Sequence, residues 1–294
     1  MGSGSWSTKT FSSYVSSSRG VSVDDFTSGS YSNQEVFKSS KLAKELNPMN
    51  VTRECRDSEE HPETLPVILA LDVTGSMGNA AVKVAQKLND IMTDLYEDNS
   101  VKDIEFCIMG IGDLAYDVSP IQISQFESDI RIAEQLDKIY FEFGGGGNKY
   151  ESYTAAWYMG ARHCDLDCWE RGKKGIIITM GDECPNPYLP GTRLARATGD
   201  HLQGNIETQD LLEEVTEKFN IYHISVDDNS SNYKYHQRFG GIDEKWKELL
   251  GDNYKVATLD SLSETITNII TSKAPTASNL GSLFSEDATE AVSW

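Results

Sequence analysis

The chain of 294 residues is 38% hydrophobic and carries a formal charge of −20, enough apolar matter for one core of roughly 200 residues with tails to spare. That charge repels phosphate backbones and anionic headgroups, and no local basic patch offsets it, which excludes nucleic-acid and membrane-surface partners. The longest apolar runs, Pro66 to Leu71 and Gly175 to Met180, fall far short of the roughly 20 residues that span a bilayer and read as buried strands.

The amino terminus has no charged-then-apolar leader, and Trp6 stands where a myristoylation pattern needs Ser or Thr, so a cytoplasmic location is expected. Cys55, Cys107, Cys164, Cys168 and Cys184 are an odd, sparse set that suits a reducing compartment and free thiols. Residues 1–62 are rich in Ser, Thr, Gly and Tyr with few clustered aliphatics, which predicts a disordered arm. A small, acidic tail over 274–294 is expected to be flexible, leaving 63–273 as the folded domain.

Within 63–273, apolar runs alternate with amphipathic patterns, the signature of strand-helix-strand units in a mostly parallel sheet. Val67 to Leu71 reads as a central strand because both faces are apolar. Ala81, Val84, Ala85, Leu88, Ile91, Met92 and Leu95 then recur at helical spacing, predicting a helix over about 77–96. Ile104 to Gly110 is a strand, and Val118 to Ile123 a short edge strand returning beside it after Gly112-Asp113. A helix over about 128–138 precedes Phe141 and four glycines, and another is expected to begin near Glu151. Strands at Ile176 to Thr179, Ile221 to Val226 and Tyr254 to Thr258 alternate with helices striped by Leu211 to Phe219 and by Ile242 to Leu250. The last helix opens on the capping-box pattern Ser261 to Glu264. The expected architecture is an α/β, Rossmann-like, doubly wound sheet of six strands with helices on both faces.

In such a sheet the loops leaving the carboxyl ends of the central strands converge on one crevice. Three loops stand out there: Asp72-Val73-Thr74-Gly75-Ser76-Met77, the stretch from Gly144 to Glu151, and Met180-Gly181-Asp182-Glu183. Hydroxyls and a few carboxylates are hard oxygen ligands, which suit Mg²⁺ or Mn²⁺ at about 2.1 Å. Asp72, Thr74 and Ser76 alternate onto one side of their turn, where one ion can meet both hydroxyls. The blander alternative is that Thr74 and Ser76 merely cap the following helix.

Asp72-x-Thr74-x-Ser76 after an apolar strand resembles the metal-ion-dependent adhesion site of von Willebrand factor A domains. That family completes the motif with a Thr from a second loop and an Asp from a third; Asp182 matches the third, within Gly-Asp-Glu instead of the commoner Thr-Asp-Gly. The resemblance covers roughly residues 64–273. The second loop departs, because Glu151 stands at the threonine position, with Asn148 and Thr154 as nearby substitutes. The resemblance implies metal ligands Asp72, Thr74, Ser76, Glu151 and Asp182, and a protein partner docking at the carboxyl-end face. In the family an acidic residue of the partner completes the metal's shell; a directly coordinating Glu151 lowers the need for it.

Other signals weigh less. The glycine run lacks the Lys-Ser/Thr of a phosphate-binding loop. His163, Cys164 and Cys168, with Cys184, have no standard zinc spacing and read as buried structure. The long loop from Glu183 to Asn205 is expected to shape the partner surface and to be removable without loss of metal affinity. Asp72 to Ser76 also resembles the nucleophile loop of phosphoaspartate enzymes, making a Mg²⁺-dependent phosphatase the rival function. Val73 replaces that loop's lysine, Thr74 the second carboxylate, and no enzyme activity is expected.

Overall fold

The computed structural model describes residues 5–97, 103–142 and 150–272. Gly144 to Gly147, Asn148 and the 274–294 tail lie outside the described residues. In chain order the elements are α1 Thr8–Arg19, α2 Val23–Ser28, α3 Asn33–Val36, β1 Arg53–Cys55, β2 Leu65–Asp72, α4 Gly78–Glu97, β3 Ile104–Ile111 and β4 Ile121–Ile123. They continue with α5 Arg131–Leu136, β5 Tyr150–Glu151, α6 Thr154–His163, β6 Cys164–Leu166, β7 Gly175–Gly181, β8 Cys184–Pro185, β9 Tyr188–Leu189 and α7 Gly191–Thr198. Last come β10 Ile206–Glu207, α8 Thr208–Thr216, β11 Phe219–Asp227, α9 Ser231–Gly240, α10 Ile242–Leu250, β12 Tyr254–Thr258 and α11 Leu262–Thr271.

The main sheet has six strands in the order β12-β11-β7-β2-β3-β4, the α/β architecture expected. All pairs are parallel except β3 with β4, where Met109 faces Ile123 in a tight antiparallel return. Strand β2 is buried along nearly its whole length, as a central strand with helices over both faces must be. Its side chains alternate: Val67, Leu69 and Leu71 join the core under α4 and α11, while Ile68 and Ala70 join that under α6, α8 and α10. The chain leaves β2 toward β3 on one side and returns to β7 on the other, so strand order reverses at β2. That reversal opens a crevice at the carboxyl end of β2.

Residues 5–62 are not the arm that their composition predicts. Phe11, Val15, Phe26, Val36, Phe37 and Leu46 are buried in the same core as α4. Few aliphatics are present, but each aromatic ring buries 150–250 Å² and a handful suffices to dock a layer. The helices are locally encoded as well: Ser22 accepts from the Asp25 amide at 3.1 Å, and Gly20 ends α1 in the left-handed region at φ 73°. Polar bonds register the layer. The Gln86 amide on α4 donates to the carbonyls of Phe26 (2.7 Å) and Gly29 (2.8 Å), and Trp6 Nε1 donates to Asn89 Oδ1 at 3.1 Å. Asp137, just past α5, accepts from Tyr14 at 2.7 Å and pairs with Arg19. Further on, β1 pairs with β6, and Arg53 reaches across to donate to the carbonyls of Glu45 (2.8 Å) and Ile123 (2.7 Å).

The segment from Glu183 to Asn205 is also no detachable loop. It holds β8, β9 and α7, β9 pairs with β10, and Leu189 and Leu194 are fully buried. Excising it would open the core, because the apolar residues among its prolines point inward. Helix α9 likewise forms where the alternation of runs gave no signal, opened by Ser230, which accepts from the Tyr233 amide. Before α11, the Ser261 hydroxyl accepts from the Thr258 amide at 3.0 Å and makes no bond to the helix amino terminus, so the capping box is not formed.

All five cysteines are buried thiols. His163 is held by the Val51 carbonyl (2.8 Å) and Asp200 Oδ2 (2.7 Å), one on each ring nitrogen. Cys184 meanwhile lies against the Gly240 carbonyl and Lys245. Among the described residues no helix is long and apolar enough to cross a membrane.

Candidate metal site at the strand switch point

Asp72 ends β2, and Gly181 ends β7 one strand away. The register Leu71 to Met180 sets the two strand ends level, so the turns that follow them meet. Asp72 is 1% exposed, and its oxygens are divided between two partners. Oδ1 accepts from the Thr74 amide at 2.8 Å and from the Thr74 hydroxyl. Oδ2 accepts from the Tyr153 hydroxyl at 2.7 Å. The chain of oxygens then continues outward, with Thr74 Oγ1 3.4 Å from Ser76 Oγ, and Ser76 Oγ donating to Asp182 Oδ1 at 3.2 Å. Thr74 is buried, whereas Ser76 is exposed. Thr74 makes no capping bond to the turn after it, so capping does not account for its hydroxyl.

Four of the sequence-predicted ligands, Asp72, Thr74, Ser76 and Asp182, are thus joined by direct contacts. Glu151 stands beside them without joining the chain. It is 6% exposed, and its Oε2 is buried with no hydrogen-bond partner. Thr154 is committed elsewhere, accepting from Asn186 Nδ2 at 2.7 Å while its amide donates to Asn186 Oδ1 at 3.3 Å. Among the described residues no three His, Cys, Asp or Glu side chains are set to hold a metal by themselves. The hydroxyls of Thr74 and Ser76 therefore have to supply part of any ion's shell.

The electrostatics are those of negative charge gathered out of water. Burial, then the neighbouring Asp182, raises the Asp72 carboxyl to about 7, against the bonds from Thr74 and Tyr153. Burial, then Asp72, Asp113, Asp117 and Glu183, raises Glu151 to about 10. Burial chiefly lifts Asp117 to about 6. A divalent cation relieves both causes at once, since it neutralises the carboxylates and replaces their lost hydration. The stranded Glu151 oxygen, the gathered hydroxyls and the two bonded carboxylates fit a hard cation.

Tyr153 and Asp113 belong to the site and escaped the sequence reading. The Tyr153 hydroxyl donates to Asp72 and accepts from the Glu183 amide at 3.3 Å, tying the first loop to the third. Its room comes from Gly181, where a Cβ would lie 2.0 Å from that hydroxyl. A glycine directly before Asp182, at the end of an apolar run, was the signal. Gly181→Ala is expected to push Tyr153 off Asp72, costing about 1–3 kcal/mol and weakening metal affinity. Tyr153→Phe should lose the same bond without the clash, so melting curves of the two variants separate strain from hydrogen bonding. Equal melting of Gly181→Ala and the wild type would refute the packing argument. Asp113 is buried in the turn after β3, where its Oδ1 accepts from the Ala115 amide at 2.7 Å. The same turn is tied to Ser152, whose Oγ accepts from the Leu114 amide at 3.0 Å.

No family profile and no curated protein matches the chain. Several solved structures are similar to it. The pilus adhesin SpaC from Lactobacillus rhamnosus GG, in its open conformation, is 13% identical with a TM-score of 0.48, over 76% of this chain and 31% of that one. The conserved hypothetical protein BatB from Bacteroides thetaiotaomicron is 12% identical at 0.42, over 71% of this chain and 98% of that one. The manganese-loaded TRAP protein of Plasmodium vivax is 15% identical at 0.36, over 71% and 74%. The chain spans about a third of the length of the SpaC adhesin.

Proposed function

We propose that the chain is a divalent-cation-dependent protein-interaction module of the von Willebrand factor A type, binding a partner at the carboxyl-end face of its sheet. The observation that carries this reading is the contact chain from Asp72 through Thr74 and Ser76 to Asp182, assembled from two turns at the switch point of the sheet. Asp72, Thr74, Ser76 and Asp182 would hold Mg²⁺ or Mn²⁺, with Glu151 close by. The ion would supply a hard Lewis-acid centre facing the partner. Tyr153 keeps Asp72 oriented, and Gly181 leaves it room to do so.

Calorimetric titration with Mg²⁺ and with Mn²⁺ tests the reading. Each ion is expected to bind the wild type and to give no heat with Asp182→Ala, which should still fold because Asp182 sits at the rim of the core. Absence of heat with the wild type would overturn metal dependence. Hydrolysis of p-nitrophenyl phosphate that requires Mg²⁺ and disappears in Asp72→Asn would favour a phosphoaspartate enzyme instead.

A further inference from the structure

Asp182 stands in a turn with little support of its own. It follows Gly181, which ends β7 and has no Cβ to restrain its backbone. The chain is next held in a ladder at Cys184, where β8 pairs with β5. Two aromatic side chains brace the residue between. The Tyr153 hydroxyl accepts from the Glu183 amide at 3.3 Å, and Trp246 Nε1 donates to the Glu183 carbonyl at 3.0 Å. The two consecutive peptide units after the Asp182 Cα are therefore pinned, one at its N–H and the next at its C=O.

Trp246 is a well-anchored donor. It lies on α10 four residues after Ile242, and both are fully buried, so they share the face that the helix turns inward. Its ring stacks on His223 of β11, with centroids 3.6 Å and planes 8° apart, and Tyr153 packs against it at 5.8 Å. A large ring packed on neighbours to crystal-like density has few rotamers to visit, which fixes its N–H in space. Lys245, next to it on α10, brings the same helix to the exit of the turn, with Nζ 3.4 Å from Cys184 Sγ.

Rigidity at Asp182 matters differently for different ions. Mg²⁺ demands a near-ideal octahedron with ligands at about 2.1 Å, whereas Ca²⁺ accepts more ligands, longer distances and irregular geometry. A loosened ligand turn therefore costs Mg²⁺ more than Ca²⁺. We infer that Trp246 is a positioning residue for ion selectivity: by pinning the turn after Asp182 it favours Mg²⁺ over Ca²⁺. The inference rests on the divalent-ion reading above, and it adds a residue that lies 63 positions from Glu183 and outside every loop motif.

Calorimetric titration of the wild type, Trp246→Phe and Ile104→Val with Mg²⁺ and, separately, with Ca²⁺ tests this. The wild type is expected to bind Mg²⁺ the more tightly. Trp246→Phe keeps an aromatic ring against His223 and deletes the N–H. It should lose roughly fivefold in Mg²⁺ affinity, the worth of about one neutral hydrogen bond, and keep its Ca²⁺ affinity. Ile104 is fully buried at the start of β3, the end of the sheet away from Asp72, so Ile104→Val loosens the core there and should leave both affinities unchanged. Equal losses for both ions in Trp246→Phe, or the same Mg²⁺ loss in Ile104→Val, make Trp246 an ordinary core residue and overturn the inference. So does a wild type that prefers Ca²⁺. Should Trp246→Phe not fold, NMR of the wild type decides: the Trp246 indole proton should shift on saturation with Mg²⁺ and less with Ca²⁺, and a resonance that Mg²⁺ leaves in place overturns the inference too. Wild-type Mg²⁺ heat that Trp246→Phe reproduces unchanged sinks this proposal alone, whereas a wild type without heat for either ion sinks the metal reading and this proposal with it.

Discussion

Asp72→Asn is expected to abolish Mg²⁺ binding and, in chelator, to melt higher than the wild type at neutral pH. Asp72 is buried at the end of β2, and burial together with Asp182 raises its carboxyl to about 7. An acid whose pKa is higher in the folded chain than in the unfolded one binds more protons when folded. Stability of the metal-free protein therefore falls as pH rises from the ordinary carboxylate range near 4 through about 7. Asparagine carries no charge, so its share of that slope vanishes. Its Oδ1 can still accept from Thr74, and its amide can face a Tyr153 hydroxyl that turns to accept. The gain at pH 8 is expected to be up to about 2 kcal/mol, a few degrees in a domain of this size. Added Mg²⁺ should reverse the ranking, since an ion at a hundred times its Kd stabilises the wild type alone by about 2.7 kcal/mol. Calorimetric melts at pH 5 and pH 8, with chelator or with Mg²⁺, check all of this. A wild type indifferent to Mg²⁺ at both values would end the argument.

The second large effect lies far from Asp72. Phe26→Ala is expected to cost about 3–5 kcal/mol, because the ring is 1% exposed, packs in the core shared with α4 and carries the Arg19 guanidinium 4.4 Å above its face. Removing residues 5–47 altogether should do more. It uncovers Ala85 and Leu88 on α4 and strands the Gln86 amide, whose two acceptors are carbonyls of the lost layer. Urea unfolding and dye binding to exposed apolar surface measure both variants. A truncated chain that unfolds as cooperatively as the full one, at the same midpoint, would show that the layer is ornamental.

What the sequence reveals and hides here follows from how each feature is encoded. The sheet is legible because β2 and β7 are almost continuous apolar runs, β3 and β11 are rich in β-branched and aromatic residues, and α4 carries a long stripe, signals that are local and repeated. The first and third loops of the site are legible because they directly follow such runs. Tyr153 is hidden because its role, just before α6, exists only through Gly181 at the end of β7, a pairing that no local window contains. The amino-terminal layer is hidden for a related reason: Phe11, Phe26 and Phe37 stand singly among serines, and their apolar partners lie on α4 and around α5. Composition weighs such a segment as polar, whereas docking depends on where a few rings land.

The amino-terminal layer also changes what α4 can do. That helix begins one residue after the Ser76-Met77 turn, at Gly78, where the Asn33 side chain of α3 presses so closely that a Cβ would lie 2.5 Å from its Nδ2. Farther along, Trp6 grips the same helix at Asn89, and Gln86 of the helix grips the Phe26 carbonyl of the layer. The Asp72–Met77 loop and the layer thus both bear on α4, and an edit to either end is expected to be felt at the other through that helix. The Trp6 indole, bonded to Asn89, is a gauge already fitted to α4, reporting by its fluorescence whether the helix shifts when the loop is filled.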